Sequence, residues 1–256
     1  MEKLSFQRDG NIAKVIINSP PANALSSSLL TELQDILRQV TEQPDIKAVV
    51  IYGEGRFFSA GADIKEFTSL QKKGEHEALA RKGQTLFDEM EHFHIPIIAA
   101  IHGAALGGGL ELAMACHMRI VAKNAKLGLP ELTLGIIPGF AGTQRLPQYV
   151  GLPKAYEMIL SGEAITGEEA ASLGLANHAV EEDEVVEKAI NLARKISNKS
   201  GPSIRAVMEL VPYAKVSQFQ EGIQQEAEKF GSVFGTEDAR EGIQAFIEKR
   251  KPNFKE

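Results

Sequence analysis

Ile95-Pro96-Ile97-Ile98-Ala99-Ala100-Ile101-His102-Gly103-Ala104-Ala105-Leu106-Gly107-Gly108-Gly109-Leu110-Glu111-Leu112-Ala113-Met114-Ala115-Cys116 is the stretch that decides how this chain is read. Ile95 to Ile101 is a short apolar run with β-branched residues, which predicts a buried strand. Three glycines then mark a turn, and Gly107 to Cys116 predicts the start of a helix. The same stretch could pass for a membrane span. Pro96, His102, the glycines and Glu111 interrupt it, and its apolar blocks are short, so a strand turning into a buried helix fits better.

Glu111 is the costly residue here, because a carboxylate in so apolar a setting is expensive to bury unless something uses it. A second glutamate follows in Leu129-Pro130-Glu131-Leu132, ahead of Gly135-Ile136-Ile137-Pro138-Gly139. The glycine run adds backbone N–H groups at a helix start, which lack intrahelical acceptors and suit an anion or a polarised carbonyl. Two carboxylates beside such a nest suggest acid/base chemistry on a substrate that develops an oxyanion. Glycines also make tight strand-to-helix turns with no ligand at all, and a glutamate in a first turn is stabilised by the helix dipole whatever its role.

Outward from this stretch, strands and helices alternate. Leu4 to Arg8 and Ile12 to Asn18 read as a hairpin about Asp9-Gly10-Asn11. Ser26 to Ser28 can cap a helix whose Leu29, Leu33, Ile36, Leu37 and Val40 recur at helical spacing. Ile46 to Tyr52, Met118 to Ala122 and Lys126 to Leu129 predict further strands. Ser69 to Glu91 is charged and predicts a solvated helix or a mobile segment. The pattern indicates an α/β core with crossover connections. After Asn198 only helices are expected, over Pro202–Val211, Ser217–Phe230 and Thr236–Lys249. The chain therefore divides into a core, 1–197, and a helical region, 198–256, whose apolar faces need cover.

Composition narrows the function classes. The 256 residues are 43% hydrophobic and 24% charged, as in a globular protein with a sizeable core. A formal charge of −6 gives no general attraction to nucleic acid or to an anionic membrane. Cys116 is the sole cysteine and cannot form an internal disulfide, which suits a reducing compartment. The N-terminus lacks the layout of a signal peptide, so a cytoplasmic location is expected. The glycine run is not followed by the Lys-Ser/Thr of a phosphate-binding loop, and no Gly-x-Ser-x-Gly elbow offers a serine nucleophile. His92 and His94 have no second ligand cluster, so no metal site is expected.

Three segments carry a family resemblance. They are Phe58-Ser59-Ala60-Gly61-Ala62-Asp63-Ile64-Lys65-Glu66, then Ala104 to Ala113, then Leu129 to Leu132 with Gly135-Ile136-Ile137-Pro138-Gly139-Phe140-Ala141-Gly142-Thr143-Gln144-Arg145-Leu146. With the tail Phe246 to Phe254, they resemble the enoyl-CoA hydratase/isomerase (crotonase) family over roughly residues 4–255. The resemblance implies a crotonase-like spiral core of strand-strand-helix units with a helical C-terminal extension, and a homotrimer or dimer of trimers. It implies that the N–H groups of Ala62 and Gly108 form an oxyanion hole, and that Glu111 and Glu131 hold one water. It further implies that the backbone about Ala60, Ala62, Asp63 and Ile64 receives CoA, and that Phe246 and Lys249 reach a neighbouring subunit's CoA. Gly139 would complete the surroundings of Glu131.

Two departures bear on substrate range. His117 follows Cys116 where many relatives carry aspartate. Phe140 and Ala141 replace small, glycine-rich residues, which could reshape the acyl pocket beside Gly139. The implied activity is reversible hydration of a trans-2-enoyl-CoA to a 3-hydroxyacyl-CoA, as in fatty-acid β-oxidation, with CoA arriving on the substrate and no separate cofactor. Double-bond isomerisation, or hydration or dehydration of another acyl-CoA, on the same fold is one alternative. A non-catalytic RNA-binding or scaffolding relative is the other, disfavoured by the acidic balance.

Overall fold

The computed structural model describes residues 3–63, 66, 75–215, 237–250 and 252–255. Its largest element is a six-stranded sheet in the order β1-β2-β3-β4-β6-β9. β1 (Leu4–Asp9) and β2 (Ile12–Ile17) form the expected antiparallel hairpin. From β2 onward every pairing in this sheet is parallel, through β3 (Ala48–Gly53), β4 (Ile97–Ile101), β6 (Met118–Ala122) and β9 (His178–Val180). All five residues of β4 are buried, as its unbroken apolar run requires of a strand covered on both faces.

A second, shorter sheet holds β5 (Ala104–Leu106), β7 (Lys126–Gly128) and β8 (Ile165–Thr166). The chain visits the two sheets in turn. β4 in the large sheet leads to β5 in the small one, and β6 leads to β7. Earlier turns do the same with single residues: after β3, Ser59 bridges Ala105, and after β2, Leu25 bridges Ala62. Stacking these turns produces the expected spiral of strand-strand-helix units.

Helices close the turns. Ser26 caps the first, Ser27–Thr41, by accepting from the Leu29 N–H at 3.4 Å. Leu29, Leu30, Leu33, Ile36, Leu37 and Val40 are buried on one face. Truncating one of these leucines to alanine would cost roughly 2–5 kcal/mol. The helix Glu75–Glu91 falls in the segment expected to be a solvated helix or mobile, and departs from that reading on one face only. Its outer face is solvated, but Leu86, Phe87 and Met90 are buried in the core. These three share a face at helical spacing, a signal masked by the charged residues between them.

His117, one of the two departures, serves the sheet. Its Nδ1 accepts from the Ile97 N–H at 2.9 Å, while its own N–H donates to the Ile97 carbonyl. In the C-terminal region, helices run over Gly201–Leu210 and Glu237–Glu248. The helix expected over 217–230 lies outside the described residues. β8 and β9 were not expected; at two and three residues they are too short to give a periodic signal.

Candidate active site

The spiral brings three segments together past the carboxyl ends of β5 and β7, which run directly into Gly107 and into Leu129-Pro130-Glu131. The first is Ala60 to Ala62. Here Gly61 O accepts from Leu25 N, and Asp63 N donates to Leu25 O. Successive residues of an extended chain face opposite ways, so the N–H of Ala62 points away from Leu25. It points towards the second segment, Gly107–Gly108. A Cβ built on Gly108 would stand 3.2 Å from Ala62 N, and one on Gly61 would stand 3.6 Å from Gly108 N. Gly108 opens the helix Gly108–Ala115, so its N–H has no intrahelical acceptor.

Gly107 makes this turn possible. It adopts φ 51° and ψ −127°, a conformation that only glycine enters without strain. Its N–H donates to the Gly128 carbonyl of β7 at 2.9 Å, which fixes the turn to the small sheet. A Cβ there would stand 3.1 Å from Oε1 of Glu131. The glycine run thus provides both a donor without an intrahelical acceptor and room for the second carboxylate.

Glu111 lies in the first turn of the Gly108–Ala115 helix, with 1% of its surface exposed. Its Oε1 accepts from Phe140 N at 2.8 Å and from Gly142 N at 2.7 Å. Burial, and then the nearby Glu131, push its pKa up to about 7, against the two N–H donors and Arg145. Glu131 comes from the short 3₁₀ helix Pro130–Leu134 and is also buried. Desolvation raises its pKa as well. Among the described residues no protein donor reaches its buried Oε2.

The third segment, Gly139 to Gly142, forms the opposite wall. Gly139 O accepts from Gln84 Nε2 at 2.9 Å. Phe140 is buried, with its ring edge-on to Phe87 at 5.4 Å between centroids. A Cβ on Gly83 would run into that ring, so the helix Glu75–Glu91 needs glycine where Phe140 docks. Ala141 takes φ 70°, a left-handed conformation that costs alanine something and glycine nothing.

These pieces enclose a cavity of about 130 Å³ lined by Ala60, Gly61, Ala62, Gly107, Gly108, Glu111, Pro130, Glu131, Leu134, Ile136, Ile137, Gly139 and Phe140. The expected residues Glu111, Glu131, Ala62, Gly108, Ala60, Gly139 and Phe140 all share it. Asp63 stands just outside; its carboxylate accepts from Glu66 N at 3.4 Å. Ile64 and the side chain of Phe246 lie outside the described residues, and Lys249 is exposed just past the Glu237–Glu248 helix. The sequence reading missed Arg145, Glu91 and Gln84, which hold the Phe140 wall. Arg145 stands within the third resemblance segment without a role assigned to it, and the pairings of Glu91 and Gln84, with partners 54 and 55 residues away, leave no local signal. Chemically, the cavity offers two convergent N–H donors and two carboxylates poised to exchange protons.

Comparison with known proteins agrees. The family model described as enoyl-CoA hydratase/isomerase matches residues 7–256. A Bacillus subtilis protein named probable enoyl-CoA hydratase is 57% identical over 100% of this chain and 99% of its own length. A crotonyl-CoA hydratase of Syntrophomonas wolfei is 38% identical, covering 99% of this chain and 98% of its own. The crystal structure of an enoyl-CoA hydratase from Bacillus anthracis superposes with a TM-score of 0.94 at 39% identity, covering 99% of both chains. With the spiral fold and both glutamates in one cavity, this chain belongs to the enoyl-CoA hydratase/isomerase family.

Proposed function

We propose that this protein is an enoyl-CoA hydratase, a hydro-lyase adding water reversibly across the double bond of a trans-2-enoyl-CoA. The observation that carries the reading is the meeting of Glu111, Glu131 and the N–H groups of Ala62 and Gly108 around one cavity. An α,β-unsaturated thioester is a poor electrophile until its carbonyl is polarised. The two N–H groups donate to the thioester carbonyl oxygen and so form an oxyanion hole. One such donor is typically worth about 3 kcal/mol in the transition state.

Glu111 takes a proton from the attacking water as its oxygen bonds to the β-carbon, and Glu131 delivers a proton to the α-carbon. A base with a pKa of about 7 is poised for neutral pH. Isomerisation typically manages with one carboxylate, so two in one cavity favour hydration. Polarisation by N–H donors and proton transfer between carboxylates call for no metal or redox group, and CoA enters with the substrate. The activity fits fatty-acid β-oxidation in the cytoplasm. No helix among the described residues is long and apolar enough to cross a membrane.

Assembly as a trimer or dimer of trimers belongs to the same proposal. The helical region after Asn198 supports it, and so do Leu152, Tyr156 and Leu160. These stand one helical turn apart, 63%, 63% and 66% exposed, an apolar stripe that a neighbouring subunit would cover. Light scattering on the purified protein reads the mass directly, and a monomer contradicts the assembly. The activity is tested on a panel of trans-2-enoyl-CoAs by the loss of enoyl-thioester absorbance. No hydration of any member contradicts the reading.

A further inference from the structure

We propose that Arg145 is a positioning residue for Glu111, acting through the Phe140–Gly142 loop and anchored in turn by Glu91. The inference rests on the reading of Glu111 as the catalytic base.

Arg145 lies in the first turns of the helix Gly142–Ser161, with 6% of its surface exposed. Its Nε donates to Glu91 Oε2 at 2.9 Å, and its Nη1 donates to the Phe140 carbonyl at 2.9 Å. The same residue, Phe140, offers its N–H to Glu111 Oε1, and Gly142 adds the second N–H. A single line of contacts therefore runs from Glu91 through Arg145 and the loop to the carboxylate. The loop would not choose this shape unaided, since Ala141 holds a positive φ that must be imposed by its surroundings.

A buried ion pair is a poor device for stability alone, because apolar residues of similar volume often do as well or better. What an apolar pair could not do is grip a carbonyl and place a positive charge behind a base. The ionisable groups facing Glu111 are Glu131, from the Pro130–Leu134 turn, and Arg145, from the Gly142–Ser161 helix. Glu91, from the Glu75–Glu91 helix, stands behind Arg145 and offsets part of its charge. Glu131 disfavours the ionised base and Arg145 favours it. Arg145 thus fixes where the base points and the pH at which it is available.

The test is the pH profile of kcat/KM for hydration of crotonyl-CoA by wild type, Arg145→Gln, Arg145→Lys, Glu91→Gln and Glu111→Gln, with folding checked by circular dichroism. Arg145→Gln should lower kcat by about 10²-fold, as a misplaced catalytic group does, with a smaller change in KM. Its acid limb should move to higher pH. Arg145→Lys should restore the limb but only part of kcat, because an ammonium cannot reproduce the planar fork. Glu91→Gln should move the limb the other way, to lower pH, since the charge of Arg145 is then less offset. A merely structural role would lower activity in all three and leave the limb in place. A folded Arg145→Gln with unmoved limb and undiminished kcat overturns the proposal. If Arg145→Gln does not fold, an unmoved or raised limb in Glu91→Gln overturns it. An inactive Glu111→Gln beside such results confines the failure to Arg145. A fully active Glu111→Gln sinks the reading of the base, and this inference with it.

Discussion

Glu111 and Glu131 share one cavity but are held in opposite ways. Glu111 sits on a regular helix, receives two N–H donors on one oxygen, and has an arginine behind the loop that supplies them. Glu131 sits on a single 3₁₀ turn, and its buried Oε2 has no protein donor among the described residues. The difference teaches how two like residues take different tasks. A carboxylate held by fixed donors keeps its direction and is suited to a base that must aim at one water. Burial raises the pKa of both carboxylates, so the contrast between them lies in the fixed donors: an oxygen without one is free to turn towards the substrate and hand over a proton.

The comparison can first be broken at the level of rate. Replacing either glutamate by alanine should lower hydration by about 10²–10⁴-fold, the usual worth of an acid–base group. Near wild-type turnover in one of them would reduce the pair to a single working carboxylate. Gly108→Val comes next. Its Cβ would stand 3.2 Å from both Ala62 N and the Phe140 ring, so the donor must shift. The expected loss is about 10²–10³-fold, chiefly in kcat, because the donor matters most as charge builds on the oxygen. A raised KM with unchanged kcat would make Gly108 a steric spacer.

Stability separates the two carboxylates more sharply than rate does. Glu111→Ala strands the N–H groups of Phe140 and Gly142, each worth about 1–3 kcal/mol when buried and unpaired. Glu131→Ala frees only the residue's own backbone N–H and removes a desolvated carboxylate, so denaturant unfolding should find it nearer wild type. Equal destabilisation by both would erase the asymmetry. A smaller effect is set by pH. The folded pKa of Glu111 lies above its ordinary value, so the native state binds the extra proton, and its contribution to stability falls as pH climbs from 4.5 to about 7. Melting curves of Glu111→Gln should show less of that decline than wild type. An identical decline in both would place the shift elsewhere.

Legibility in the sequence followed the range of the interactions. β4, the glycine turn and the helix carrying Glu111 were readable because each depends on neighbours within a few residues: an unbroken apolar run, three glycines, a first-turn acid. Glu131 was readable from its proline turn. The family motifs supplied the pairing of these segments, which local patterns do not contain. The buried face of the Glu75–Glu91 helix was hidden by its charged outer face. β8 and β9 exist only because β7 and β6 are there to pair with. The Glu91–Arg145–Phe140 line joins an ordinary-looking glutamate and arginine across the fold.

The central claim is that the two glutamates serve one chemical event, and a double-mutant cycle tests it most directly. The hydration kcat for crotonyl-CoA would be measured in Glu111→Gln, Glu131→Gln and the double variant, with binding of a saturated acyl-CoA as the control. Groups that act as a unit are strongly non-additive. The account predicts that each single variant binds the ligand yet loses about 10²-fold or more, and that the double is little worse than the poorer single. Losses that multiply in the double variant, or a single variant with near wild-type kcat, would contradict it.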